Sequence, residues 1–166
     1  MYTRIPYELK ELKNWCVFKI EKTDTGRLTK RPYQIDGTLA KSNDPDTWYT
    51  FDEVSSVSNQ FDAIGFFFTP PYIGVDIDDV KAEIDEFLLD EDTDNLVSEF
   101  IHSLESYAEI SPSGTGVHII MKGQLPAKGR RRGNVEIYDK GRFFTMTGNH
   151  IGGYNGISDD DYGKLG

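Results

Sequence analysis

The chain has 166 residues, a formal net charge of -10 and 37% apolar content, enough for one folded core with a small appendage and ordinary for a soluble globular domain. No run is long and apolar enough to span a bilayer, and the opening MYTRIPYELKELKNW lacks the apolar stretch of a signal peptide. A single cysteine, Cys16, excludes an internal disulfide and a multi-cysteine zinc site, which fits a reducing cytoplasm and an expected cytoplasmic localisation.

In chain order, Pro6 suits the first turn of a short helix over PYELKELKNW. WCVFKIEK reads as a strand in which Cys16 is a small core residue. TDTGRLTK reads as a hairpin turn on Asp24 and Gly26, with KRPYQ as the return strand or an extended loop. NDPDTWYTFDEVSSVS joins turn residues to a helical pattern, with Pro45 as breaker and Asp46 as the expected N-cap. AIGFFF and YIGVDID are two strands separated by TPP. The segment from Val80 to Tyr107 reads as helix, acidic kink, helix, and SYAEIS, GVHIIMKG, NVEIYD and RFFTMTG as four further strands. The tail HIGGYNGISDDDYGKLG is glycine-rich and acidic with little to bury, so 151–166 is expected to be linker-like, leading to a further domain, and 1–150 to be one domain. This mixed order predicts an α+β fold with a largely antiparallel sheet flanked by helices. Trp15 and Trp48 stand at element starts as core anchors, His102 on a helix at a surface or half-buried position, and His150 in the tail with no assignable role.

The charge is unevenly spread. From Asp76 to Glu109 acids crowd the chain and Lys81 is the sole Lys or Arg, whereas Lys122, Lys128, Arg130, Arg131, Arg132, Lys140 and Arg142 follow in quick succession. A basic run beside an acidic one would let the first face a phosphate backbone and the second face metal ions or solvent.

Three stretches carry candidate chemistry. In YIGVDIDDV, Ile73, Val75 and Ile77 alternate with Gly74, Asp76 and Asp78, which puts both carboxylates on one strand face, roughly 7 Å apart along the backbone. Like charges so placed raise each other's pKa and call for a cation between them; a third carboxylate from a neighbouring strand would complete an oxygen cage for two Mg²⁺ or Mn²⁺ ions. The plain alternative is a solvated strand face. SPSGTGVH sets glycines and hydroxyls before a strand, as a phosphate-binding nest or as an ordinary Ser/Gly hairpin turn, with His118 able to donate to a phosphate oxygen. In NVEIYDKGRFFTMTG two strands meet at a turn around DKG; Glu136 alternates with Val135 and Ile137, and Arg142 opens the return strand, with a Glu136–Arg142 surface pair as the plain alternative.

The joint order of these stretches resembles the archaeo-eukaryotic primase superfamily, and more closely its primase-polymerase branch of phages, plasmids and genomic islands. The same branch commonly shows an early NW strand, a TKxPY segment and a DPxTW helix start, matched here by Asn14-Trp15, by Thr29 to Tyr33 and by Asp44 to Trp48. The resemblance runs from about Asn14 to Gly148 and rests on joint order rather than on any single motif.

The resemblance implies a primase-like catalytic core of two modules, one an RNA-recognition-motif-like sheet bearing the acids. It implies Asp76, Asp78 and Glu136 as catalytic ligands of two Mg²⁺ or Mn²⁺ ions, with Asp139 as the rival third ligand. Ser113, Gly114, Gly116 and His118 would hold the triphosphate, with Arg142 and Lys30 as further phosphate contacts. Arg130, Arg131 and Arg132 are expected on a mobile loop against template or primer DNA. The implied activity is DNA-directed nucleotide transfer, by a primase or polymerase in replication of a phage or mobile element, on single-stranded or primed DNA with nucleoside triphosphates, a helicase as partner and no membrane. The chain departs from the family in lacking the zinc-binding cysteines or histidines of many members, so no zinc is expected and priming would need a further domain. The same acids would also serve a two-metal nuclease, which needs no triphosphate pocket, and the fold alone would serve a non-catalytic origin-binding or replisome-docking module.

Overall fold

The computed structural model describes residues 2–123 and 130–159, with Arg130, Arg131 and Arg132 as backbone. In chain order its helices and strands are α1 (Tyr7–Lys10), β1 (Trp15–Lys22), β2 (Leu28–Tyr33), α2 (Phe51–Ser56), β3 (Ala63–Phe67), β4 (Tyr72–Ile77), α3 (Lys81–Leu89), α4 (Leu96–Leu104), β5 (Ala108–Ile110), β6 (Val117–Lys122), β7 (Arg130–Arg132), β8 (Val135–Tyr138), β9 (Phe143–Met146) and β10 (His150–Ile151). The fold is α+β, and every strand pairing within its two sheets is antiparallel. The chain divides into two compact units, one formed by Tyr7–Phe67 and Gly141–Met146, the other by the remaining described residues.

The first unit carries a four-stranded sheet in the order β2-β1-β3-β9. Trp15 to Phe18 of β1 pair with β3 and are buried, whereas Lys19 to Lys22 pair with β2 alone. The strand is therefore core-forming at its start and half of a two-stranded ribbon at its end, which is why its apolar density falls after Phe18. Both indoles are anchors: Trp15 donates to the Leu9 carbonyl at 3.0 Å, and Trp48 donates to the Lys41 carbonyl at 2.8 Å while stacking on Phe67. Cys16 is buried beside them, and burial pushes its thiol well above the usual range. The expected N-cap Asp46 is displaced on both sides. Asp44 caps the short 3₁₀ turn Pro45–Thr47, and Thr50 caps α2 in a reciprocal capping box with Glu53, the Thr-x-x-Glu spacing outcompeting the upstream aspartate.

The second unit carries a six-stranded sheet in the order β10-β5-β6-β4-β8-β7. One face is apolar: Ile73, Val75, Ile77, Val117, Ile119 and Ile137 pack with Ile84, Phe87, Val97 and Ile101 of α3 and α4. α4 is capped by Asn95, whose side chain accepts from the Ser98 amide at 2.9 Å, so the acidic kink expected between the helices ends in a cap.

Two expectations are corrected here. β8 and β9 do not form a hairpin around DKG: β8 pairs with β4 and β7, while β9 pairs with β3 in the other sheet. Arg130–Arg132, expected as a mobile loop, is a strand, β7, joined to β8 through Gly133 at φ 61. A glycine there gives the left-handed conformation that a tight hairpin turn needs. The segment expected to be linker-like is tied in as far as it is described. Ile151 pairs with Ala108, Tyr107 donates its amide to the Gly156 carbonyl, and Lys122 donates its amide to Ser158. Residues 160–166 lie outside the described residues.

Candidate active site

The alternation of YIGVDID places Asp76 on the face of the six-stranded sheet opposite α3 and α4. Its pairing partners on both sides are polar: His118 on β6 and Glu136 on β8 stand directly across from it. Glu109 stands across from His118, His150 across from Glu109, and Arg131 across from Glu136. Directly opposed residues in an antiparallel pair share a face, so one register row crosses the sheet as His150, Glu109, His118, Asp76 and Glu136, with Arg131 next in the backbone register. The register brings Glu136, not Asp139, beside Asp76; Asp139 follows the end of β8.

The row tightens toward its middle. His118 Nε2 lies 3.5 Å from Asp76 Oδ1, with the His118 side chain 7% exposed and that of Asp76 18% exposed. The Glu136 carboxylate accepts from the Tyr138 hydroxyl on the same strand face. Asp78 falls one residue past the end of β4, rather than within the strand as the alternation implied. Its amide still donates to the Asn134 carbonyl at 2.9 Å and its carbonyl accepts from Asn134 Nδ2 at 2.7 Å, so it stays fixed beside β8. Among the described residues, no three His, Cys, Asp or Glu side chains are already gathered around one metal-sized point.

SPSGTGVH forms the connection between β5 and β6. Ser111 donates its amide to the Gly116 carbonyl at 2.9 Å, and the Gly116 amide returns to Ser111 Oγ at 3.0 Å. Gly114 donates its amide to Ser111, and Thr115 donates its amide to Ser113 Oγ. These four amides therefore stabilise the turn itself. The role of Gly116 is spatial: a Cβ there would stand 2.9 Å from the Ile77 carbonyl and 3.5 Å from Asp78 Oδ1. The glycine lets this turn lie against the end of the acidic strand, and the Thr115 carbonyl accepting from the Val80 amide at 2.8 Å fixes it there.

Sequence reasoning missed Glu109. It is fully buried: Oε1 accepts from the Thr147 amide at 2.8 Å, and Oε2 accepts from the Tyr107 hydroxyl at 2.7 Å and the Gly148 amide at 2.9 Å. Burial raises its carboxyl above the ordinary glutamate value, against the lowering pull of these hydrogen bonds. Burial also raises the Tyr107 phenol, and the Glu109 charge adds to that shift. His150, left without a role, stacks on Tyr107 at 5.4 Å and bonds through Nε2 to the Tyr154 carbonyl. The available signal was alternation in SYAEIS, where Tyr107 and Glu109 interleave with Ala108 and Ile110.

A second omission lies in the four-stranded unit. Lys41, Ser42 and Asn43 line an open pocket of about 460 Å³ with Pro32, Arg142 and Phe143. Arg142 thus has a cationic neighbour in Lys41, whereas Lys30 stands across from Ile20 on the β1–β2 ribbon and does not line this pocket.

The geometry describes a carboxylate- and histidine-bearing sheet face. The chain is similar to the DNA Primase-polymerase of Nitratiruptor phage NrS-1, with 30% identity over 169 aligned positions that take in 95% of this chain. The chain spans 22% of the length of that relative. This similarity supports a primase-polymerase relationship. No family model matches the chain. No helix among the described residues is long and apolar enough to cross a membrane.

Proposed function

We propose that this chain is the catalytic core of a DNA primase-polymerase of the archaeo-eukaryotic primase type, in which the six-stranded sheet is the RNA-recognition-motif-like module. It joins nucleotides on a single-stranded or primed DNA template during replication of a phage or mobile element. The observation that carries this reading is the pairing of Asp76 with Glu136 on one side and His118 on the other, at the strand that also leads into Asp78.

The donor set suits hard divalent cations. Asp76, Asp78 and Glu136 offer only carboxylate oxygens, which Mg²⁺ and Mn²⁺ prefer. Asp76 and Glu136 are neighbours by backbone register, and the Glu136 carboxylate accepts from the Tyr138 hydroxyl. Asp76, Asp78 and Glu136 would hold two such cations, which would supply Lewis-acid activation for attack of a 3′-hydroxyl on the α-phosphate with pyrophosphate as the leaving group. His118 holds its Nε2 at the edge of the carboxylate cluster, where a protonated nitrogen donates to a phosphate oxygen. Ser113 offers its hydroxyl from the adjoining turn, and Gly114 and Gly116 shape that turn. Arg142, with Lys41, supplies positive charge for phosphate in the pocket of the other sheet. The β7 arginines Arg130, Arg131 and Arg132 supply contacts to the DNA backbone. A helicase domain or protein acts with this core.

Primer extension with Mg²⁺ and with Mn²⁺ tests the reading. The expected result is lengthening of a primer by nucleotides complementary to the template, lost in Asp76→Ala. Shortening of the primer would make the site a nuclease, and no change in primer length with intact DNA binding would make it a docking module.

A further inference from the structure

The four-stranded unit contains nine Lys and Arg against ten Asp and Glu, yet its cations are gathered. Beyond Phe18, β1 and β2 leave the sheet as a two-stranded ribbon in which Lys19 stands across from Arg31 and Ile20 across from Lys30. Lys22 closes the ribbon and Arg27 sits in its turn. All five of these cationic side chains are exposed. Among the described residues, none of the five takes part in an ion pair. The ribbon carries two acids against these five cations, Glu21, which accepts from the Tyr33 hydroxyl, and Asp24 in the exposed turn, so its charge stays positive.

Two like charges directly opposed across a strand pair are destabilising. Lys19 and Arg31 occupy such a position. Lys19 is partly held by the rings of Tyr33 and Phe61, at 5.5 and 5.3 Å from their centroids, which orders the ammonium without cancelling its charge. From Lys19 to Lys22 the ribbon runs about 10 Å, three strand rises, with Lys19 and Arg31 on one face, Lys22 and Lys30 on the other and Arg27 beyond them in the turn, so the complementary partner is a linear polyanion that follows the ribbon rather than a single anionic group.

We propose that the β1–β2 ribbon, through Lys19, Lys22, Arg27, Lys30 and Arg31, holds the phosphate backbone of a single DNA strand. The inference rests on the polymerase reading above and moves Lys30 from the nucleotide to the strand. The proposal is compatible with a net charge of -10, because the excess acid belongs to the other unit, which has nine Lys and Arg against eighteen Asp and Glu.

The test is fluorescence anisotropy of a labelled single-stranded oligonucleotide against the full chain across a salt series. Lys19→Gln/Arg31→Gln is expected to bind more weakly, with a log–log salt slope shallower by about 1.4, since each single-strand phosphate contact contributes about 0.7. Lys10→Gln/Lys13→Gln makes the same charge change in the same unit off the ribbon and is expected to keep the wild-type slope. Lys22→Gln/Arg27→Gln probes the ribbon without touching the cross-strand pair, should that pair prove necessary for folding. A wild-type slope in both ribbon variants overturns the proposal, and so does wild-type protein that binds no single strand. A ribbon variant that aggregates with its slope unchanged would show that the charges guard an edge strand. One that instead lowers self-association in sedimentation would show that the ribbon meets the acidic unit of a second copy. Either outcome overturns the proposal. The two readings fail separately: strand binding through the ribbon without nucleotide incorporation sinks the catalytic assignment alone. Incorporation with the slope unchanged in both ribbon variants sinks the ribbon alone.

Discussion

In the six-stranded unit, ionisable side chains are drawn inward: Glu109 is fully buried and His118 nearly so, in one row with Asp76 and Glu136. In the four-stranded unit the reverse holds, with Lys19, Lys22, Arg27, Lys30 and Arg31 exposed on a ribbon and the buried positions given to Trp15, Phe18, Phe66 and Phe67. A partly buried charge is costly unless something compensates it, and so marks a site where chemistry can be focused. An exposed charge is cheap to keep and acts at longer range, on association rather than on a reacting bond. Under the two proposals above, the six-stranded sheet carries the reaction and the β1–β2 ribbon the capture of the strand.

That division breaks most sharply at Asp76. Asp76→Ala and Glu136→Ala are each expected to lower nucleotide incorporation by about a thousandfold or more, the upper range for removing one electrostatic group from a reacting centre. The melting temperature should be unchanged or slightly raised, because a repulsive neighbour is removed from a metal-free carboxylate pair. Near-wild-type extension by either variant would remove the row from the chemistry.

Trp15→Ala should behave in the opposite way. It removes an indole that is fully buried and in edge contact with Phe51 and Phe66, so a loss of about 3–5 kcal/mol of stability is expected in denaturant titration. A loss below about 1 kcal/mol would show that the aromatic core of this unit is not the packed cluster described.

His118→Ala should weaken nucleotide affinity about ten- to a hundredfold for all four bases, the loss of one hydrogen bond to a charged group. Calorimetry with metal present reads this directly. An effect on incorporation without one on affinity would move His118 from holding phosphate to the reacting centre.

The smallest effect concerns Glu109. Burial raises its folded-state carboxyl above the ordinary glutamate value of 4.5. The folded protein therefore holds that proton more tightly than the unfolded chain, and stability falls as pH rises from near that value through the folded-state value. Glu109→Gln should flatten this part of a melting-temperature profile taken against pH. It should also lower the whole profile, because one amide group cannot accept from all three of the Thr147, Gly148 and Tyr107 donors. An unaltered slope would mean that Glu109 titrates as an exposed acid does.

Much of this architecture was legible in the residues. Alternation in YIGVDID and NVEIYD set Asp76 and Glu136 on polar strand faces, and helical spacing around an acidic kink yielded α3 and α4. The local signal failed where two local readings competed. DKG looked like a hairpin turn between two strands, but β8 and β9 found partners far away in sequence. A Pro-Asp-Thr start looked like a helix cap, but the Thr50–Glu53 pair satisfied more of the helix's free amides.

By itself, then, the sequence determined periodicity, turn chemistry and the presence of three acids and a histidine in a resembling order, because these depend on neighbours a few residues apart. Only the tertiary structure decided the strand order that sets His118 and Glu136 on either side of Asp76. It alone buried Glu109 under the Thr147 and Gly148 amides, and it alone brought Lys41 and Arg142 to the lining of one pocket. Each of these joins residues distant in the chain, and register across strands is fixed by the burial of whole faces rather than by any local preference.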